Sequence, residues 1–272
     1  MLQLPQLLAC VALTGCLGAQ TVISQFTLKE RFGVSHPDQP VEFSYSGGRL
    51  DAKSTRMLGP GGEEVPYQQL SSGNVLIRTS LPASRIATVY SPTQVDSRAD
   101  TVTINLNLLV GAYPVTGDVV RFEGPNVPGG LIEGANYFLK KTPSGAYQLS
   151  QHKNLSDTVD ITSSVSGVIR KQGWIVDPDD PGRALYAKAH SYRTGDAIWL
   201  RSSGKLPAPL APDKPYFVIK RSSDTFHLAS SRAEALSGNA VALTTLGTGV
   251  FETAVEWAWT LISGPPPAPK IE

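Results

Sequence analysis

A chain of 272 residues with 24 Lys and Arg, 23 Asp and Glu and no basic run is close to neutral, which argues against nucleic acid as a partner, because neutralising phosphates needs clustered cations. The length accommodates one large domain or two to three small ones. Its 25 Gly and 21 Pro suit many short strands joined by turns, and so an all-β chain.

The chain opens on MLQLPQLLACVALTGCLGAQ. The apolar run Leu7 to Leu17 is too short to span a bilayer, and it ends in small residues. It reads as the core of a signal peptide over residues 1–19, cleaved after Ala19. A second reading takes Leu13 to Cys16, LTGC, as similar to a bacterial lipobox, with Cys16 lipidated. The absence of Lys and Arg before the run counts against both. Cys10 and Cys16 are the only cysteines, so either processing leaves a chain without a disulfide. Such a chain must be held by its cores, which fits a bacterial exported protein, secreted, periplasmic or at the cell surface. No transmembrane segment is expected after removal of the leader.

Residues 21–92 are expected to form an N-terminal β domain. FTLKERF and PVEFSYS are strand-like, and Gly59-Pro60-Gly61-Gly62 marks a turn. In NVLIRTS, Val75, Ile77 and Thr79 alternate with Leu76, Arg78 and Ser80, the period of a half-buried strand. No stretch of residues 21–92 has the spacing of an amphipathic helix.

The rest of the chain echoes itself. Thr116-Gly117-Asp118 recurs as Thr194-Gly195-Asp196. Each is followed by an apolar strand (VVRF, AIWL), a loop with a proline (NVPGGL, KLPAPL) and a Tyr-Phe hairpin (NYFLKKTPSGAYQLS, PYFVIKRSSDTFHLA). TVDITSSVSGV and AVALTTLGTGV close the two series on Gly167 and Gly249. Residues 98–169 and 174–253 are therefore expected to be two copies of one β module. Along each hairpin strand Tyr137 and Phe138, and Tyr216 and Phe217, point to opposite faces, so at most one of each pair is expected to face a core. A module of this size is marginal alone and gains by packing on its copy or on the first domain. Residues 254–272 read as one more strand and a Pro-rich, polyproline-like tail. The expected architecture is thus several small sandwich- or barrel-like β domains in tandem.

The repeat resembles the small β repeats of phage tail proteins and large bacterial surface or secreted proteins. The second copy carries the resemblance in Gly195-Asp196, Leu206-Pro207, Tyr216-Phe217-Val218, Phe226-His227-Leu228, Val241-Ala242-Leu243-Thr244, Gly247 and Gly249. The first departs at Val127-Pro128 and Tyr147-Gln148-Leu149, and has no counterpart of Gly247. The resemblance implies a structural or adhesive module. Residues 30–43, 61–68 and 81–83 resemble the N-terminal β domain of secreted enzymes of the rhamnogalacturonan-lyase type.

Chemistry is sparse. No metalloprotease helix, P-loop or nucleophile elbow occurs, no catalytic residue is assigned and no cofactor is expected. His36, His152, His190 and His227 are scattered, and His227, matched by Gln148 in the first copy, reads as solvent-facing. Asp177, Asp179 and Asp180 in DPDDPG supply oxygen ligands of the kind Ca²⁺ takes, but the favoured reading is a solvated linker between the copies. Glu63 and Glu64 point to opposite faces and make no catalytic pair. In VEWAWTL, Val255, Trp257, Trp259 and Leu261 share one strand face. Trp257 and Trp259 are either core or docking side chains, the favoured reading, or a stacking platform for a sugar ring. Trp174 and Trp199 read as core. The sequence supports a non-catalytic secreted or cell-surface β-repeat protein, a structural spacer or a carbohydrate-binding adhesive front end. Polysaccharide or a downstream domain is the expected partner. The alternative is the accessory N-terminal region of a larger secreted polysaccharide-degrading enzyme. The leader argues against a phage tail component.

Overall fold

A computed structural model describes residues 20–30, 35–90, 92–104, 113–165 and 167–264. The expected leader, both cysteines and the proline tail lie outside these residues. Among the described residues the chain is all-β, with one short helix.

The N-terminal unit contains β1 (Thr21–Glu30), β2 (His36–Phe43), β3 (Thr55–Leu58), β4 (Glu64–Val65), β5 (Tyr67–Gln69) and β6 (Val75–Leu81). The first copy contains β7 (Thr88–Tyr90), β8 (Pro92–Asp96), β9 (Thr101–Ile104), β10 (Val119–Glu123), β11 (Asn136–Lys141), β12 (Tyr147–Ser150) and β13 (Val168–Lys171). The second contains β14 (Ile175–Val176), β15 (Leu185–Tyr186), β16 (Ala197–Ser202), β17 (Pro215–Lys220), β18 (Thr225–Ala229), the helix α1 (Arg232–Leu236) and the start of β19 (Phe251–Ser263).

The two copies share one strand order: β8-β9-β12-β11-β10-β13 in the first, β14-β15-β18-β17-β16-β19 in the second. They also share register. Val120 lies opposite Tyr137 as Ile198 lies opposite Tyr216, and Leu139 opposite Leu149 as Val218 opposite Leu228. The Thr-Gly-Asp turn has the same bonds in each. The Asp118 carboxylate accepts from Val115 N–H at 2.8 Å and that of Asp196 from Arg193 N–H at 2.7 Å. The Tyr137 hydroxyl accepts from Ile132 N–H and the Tyr216 hydroxyl from Ala211 N–H, both at 2.9 Å. The equivalence starts earlier than the Thr-Gly-Asp signal shows, because the β8–β9 pair (Val95 opposite Val102) repeats as β14–β15 (Val176 opposite Leu185).

β19 is longer than the sequence implied, and it joins two units. Residues 251–254 pair with β16, residues 255–263 pair with β1, and residues 260–263 also pair with β3. The strand turns Phe251, Thr253, Val255, Trp257, Trp259 and Leu261 into one core. Phe43 of the β2-β6-β5 sheet packs on it, 4.9 Å from Phe26 and 5.7 Å from Trp259 between ring centroids. The N-terminal unit and the second copy therefore share a single hydrophobic core, whereas the first copy has its own around Phe122, Tyr137, Leu139 and Ile161.

The expectation that only one of each Tyr-Phe pair is buried is corrected: all four are buried. The second face is covered by a neighbour. In the first copy Val119 and Phe138 pack against Ile175 and Tyr186 of the second, and Phe138 and Tyr186 meet edge-on at 5.6 Å. The matching Ala197 and Phe217 of the second copy lie in the core shared with the N-terminal unit. There the Trp257 indole N–H donates to Ala197 O at 2.8 Å. At the other end, the positions matching Ile175 and Tyr186 are the exposed Gln94 and Thr103. A polar outer face on one terminal repeat and an occupied face on the other close the pair as capping repeats close an array.

Candidate functional site

The joint between the copies is built from a short buried connection, Lys171 to Ile175. Gln172 crosses it. Its amide N–H donates to Asn136 Oδ1 at 3.1 Å, and its Oε1 accepts from Phe251 N–H at 2.9 Å. Lys171 donates to the buried Asp118 at 2.8 Å. Beside this connection opens a cleft of about 450 Å³. Arg121, Glu133 and Asn136 enter it from the first copy, and Leu246, Thr248 and Phe251 from the second.

The loop that carries Leu246 is held by its glycines. Gly247 has φ +68°, and a Cβ there would meet Lys205 O at 2.6 Å. Gly249 has φ +93°, and a Cβ would press on the Gly204 backbone. Thr248 N–H donates to Lys205 O at 2.7 Å, and Ser202 Oγ donates to Thr248 O at 2.6 Å. A loop clamped in this way holds Leu246 62% exposed at the cleft. Arg121 donates to Gly249 O at 2.7 Å and lies 3.2 Å from Glu123, a carboxylate that it shares with Arg170. The cleft combines an apolar contact with amide, hydroxyl, carboxylate and guanidinium groups. That chemistry offers donors and acceptors to a polar, hydroxyl-bearing ligand, and pockets of this kind favour domain interfaces.

The sequence pointed elsewhere. Trp257 and Trp259 are 9% and 2% exposed and pack edge-on at 6.2 Å, as the favoured core reading expects; neither ring offers a face to a sugar, so the platform alternative, with these two as ligand-binding residues, is corrected. The driving cause is that Phe26, Phe43 and the second copy close over the strand. Trp174 stacks on Phe251 at 4.5 Å and donates to Glu252 O.

DPDDPG is corrected from a linker to the hairpin turn between β14 and β15. Lys153 of the first copy reaches across the joint and lies 2.6 Å from both Asp177 and Asp179. Asp180 lies 3.5 Å from His227. The three carboxylates are thus shared between two basic side chains rather than gathered on one point, and among the described residues no group of three His, Cys, Asp or Glu side chains has metal-binding geometry. His227 is half-buried against Asp180 rather than free in solvent. His190, not singled out from sequence, is 4% exposed, with Nε2 on Thr225 O at 3.2 Å and its ring against Tyr192 and Phe226. Glu63 and Glu64 form no pair; Glu64 faces Arg56 at 3.8 Å.

Comparison with protein-family models, with curated proteins and with solved structures finds no match to this chain. Among the described residues no helix is long and apolar enough to cross a membrane. The cleft itself escaped the sequence because its walls come from turns of two different copies. The one signal that pointed to it was Gly247, the residue without a counterpart in the first copy.

Proposed function

We propose that this is a non-catalytic β-repeat protein, secreted or held at the cell surface, that acts as a carbohydrate-binding front end rather than as a spacer in series. The observation that carries this choice is the cleft of about 450 Å³ at the joint, lined by side chains of both copies. The closed pair of repeats supports the reading, because the outermost strand pair of the first copy turns the exposed polar Gln94 and Thr103 to the face where a further repeat would pack.

Leu246→Asp tests it. The loop is fixed by backbone bonds, so the stability should stay within the ordinary range for a surface change, about 0.5 kcal/mol. Binding to a panel of neutral oligosaccharides, read by calorimetry, should be lost. Wild-type protein that binds none of the panel, or a variant that binds as well as wild type, would remove the cleft from the reading.

A further inference from the structure

β1 is an edge strand. It pairs with β19 on one side, and among the described residues no backbone group of residues 21–29 bonds to any other element. Its length sets it apart. The other sheet edges are β4, β5, β7 and β14, of two or three residues, and β2 and β8, which carry prolines and register shifts. Short strands, prolines and bulges are the devices by which proteins blunt an edge against pairing. β1 runs ten residues, TVISQFTLKE, without proline and with one register shift near its start. Phe26 and Glu30 turn inward, while Gln25, Thr27 and Lys29 stay exposed.

We propose that β1 is a docking edge whose occupant is β1 of a second copy of this chain, paired antiparallel about a two-fold axis at Gln25. A two-fold interface must be self-complementary, and this strand meets that demand. Its one exposed charge is Lys29, already paired with Glu256 at 2.8 Å. With Gln25 facing Gln25, the two Lys29 ammonium groups fall at opposite ends of the ladder, each beyond the partner's register shift between Val22 and Ser24. Nothing on the exposed face selects a foreign strand of opposite charge. The pairing would continue the nine-stranded sheet from one molecule into the next and satisfy the open row of N–H and C=O groups.

The test uses the full chain with Cys10→Ser and Cys16→Ser, which removes every native thiol. Light scattering on this chain should give twice the monomer mass. Adding Gln25→Cys should produce a covalent dimer on mild oxidation, because facing Cα atoms in an antiparallel pair are about 4.5–5.5 Å apart, within disulfide reach. In a separate variant, Gln25→Lys places like charges opposite each other and should return a monomer with the parent's circular dichroism spectrum and a melting temperature that no longer rises with protein concentration. Monomer mass at every concentration overturns the proposal. So does a dimer in which the Gln25→Cys variant fails to cross-link, since that dimer uses another face. The cross-link keeps the test decisive even if Gln25→Lys fails to fold.

Discussion

Asp118 and Asp196 occupy the same turn of the two copies and face different neighbours. Lys171 answers Asp118, whereas burial pushes the Asp196 carboxyl above the usual range. The repeat keeps the aspartate for its bonds to the turn, and the flanking chemistry varies with what packs there. His190 is the residue whose burial has the clearest consequence. Its pKa is lowered, chiefly because burial disfavours the charged ring, and that of His227 is lowered for the same first reason. A depressed histidine is neutral in the native state, while the unfolded chain takes up a proton near pH 6.5. Stability is therefore full above that value and falls as pH drops through it towards the lower folded value. The melting temperature should decline between about pH 7 and about pH 5, and His190→Phe should decline less over the same interval. An equal decline in the two proteins would take His190 out of the acid response.

β19 and the connection before β14 do the joining. Gly173 sits where the chain passes between Arg85 and Phe251, and its N–H donates to Phe251 O at 2.9 Å. An added Cβ would press on the carbonyl oxygens of both residues. Backbone oxygens cannot swing aside as a side chain can, so Gly173→Ala should cost about 1–3 kcal/mol, read from denaturant midpoints. An unchanged midpoint would mean that the joint yields. The sequence showed the period-two face of β19 and even which residues share it. It did not show that this face meets two partners in turn. Edge pairing depends on which strands arrive beside a segment, and no local pattern encodes that. The same holds for DPDDPG, whose turn chemistry was legible but whose two flanking strands, of two residues each, were too short to carry a period.

At the scale of the whole molecule, two large cores and a small cluster at the joint organise the described residues. One large core is shared by the N-terminal unit and the second copy, and the other belongs to the first copy. Trp174, Trp199, Trp257 and Trp259 all lie outside the first copy, so tryptophan fluorescence reports on the shared core alone. Leu139 is fully buried in the first copy's core, and Leu139→Ala should cost about 2–5 kcal/mol there. Circular dichroism should then show an early transition that tryptophan fluorescence does not follow. Coincident transitions by both probes would show that the joint couples the two cores into one cooperative unit.

What the sequence determined by itself is what repeats or alternates. The all-β class follows from turn residues and period-two strands. The duplicated module follows from matched turns, because Thr-Gly-Asp, Tyr-Phe and the closing glycines satisfy local backbone demands that are the same wherever the module sits. The tertiary structure alone decided which faces are covered. It decided between core and platform for Trp257 and Trp259, buried both members of each Tyr-Phe pair, merged two expected domains into one core and opened the cleft at the joint. The physical reason is that burial belongs to pairs of surfaces: a strand specifies its two faces, and only the arrival of a second surface decides whether either one meets water.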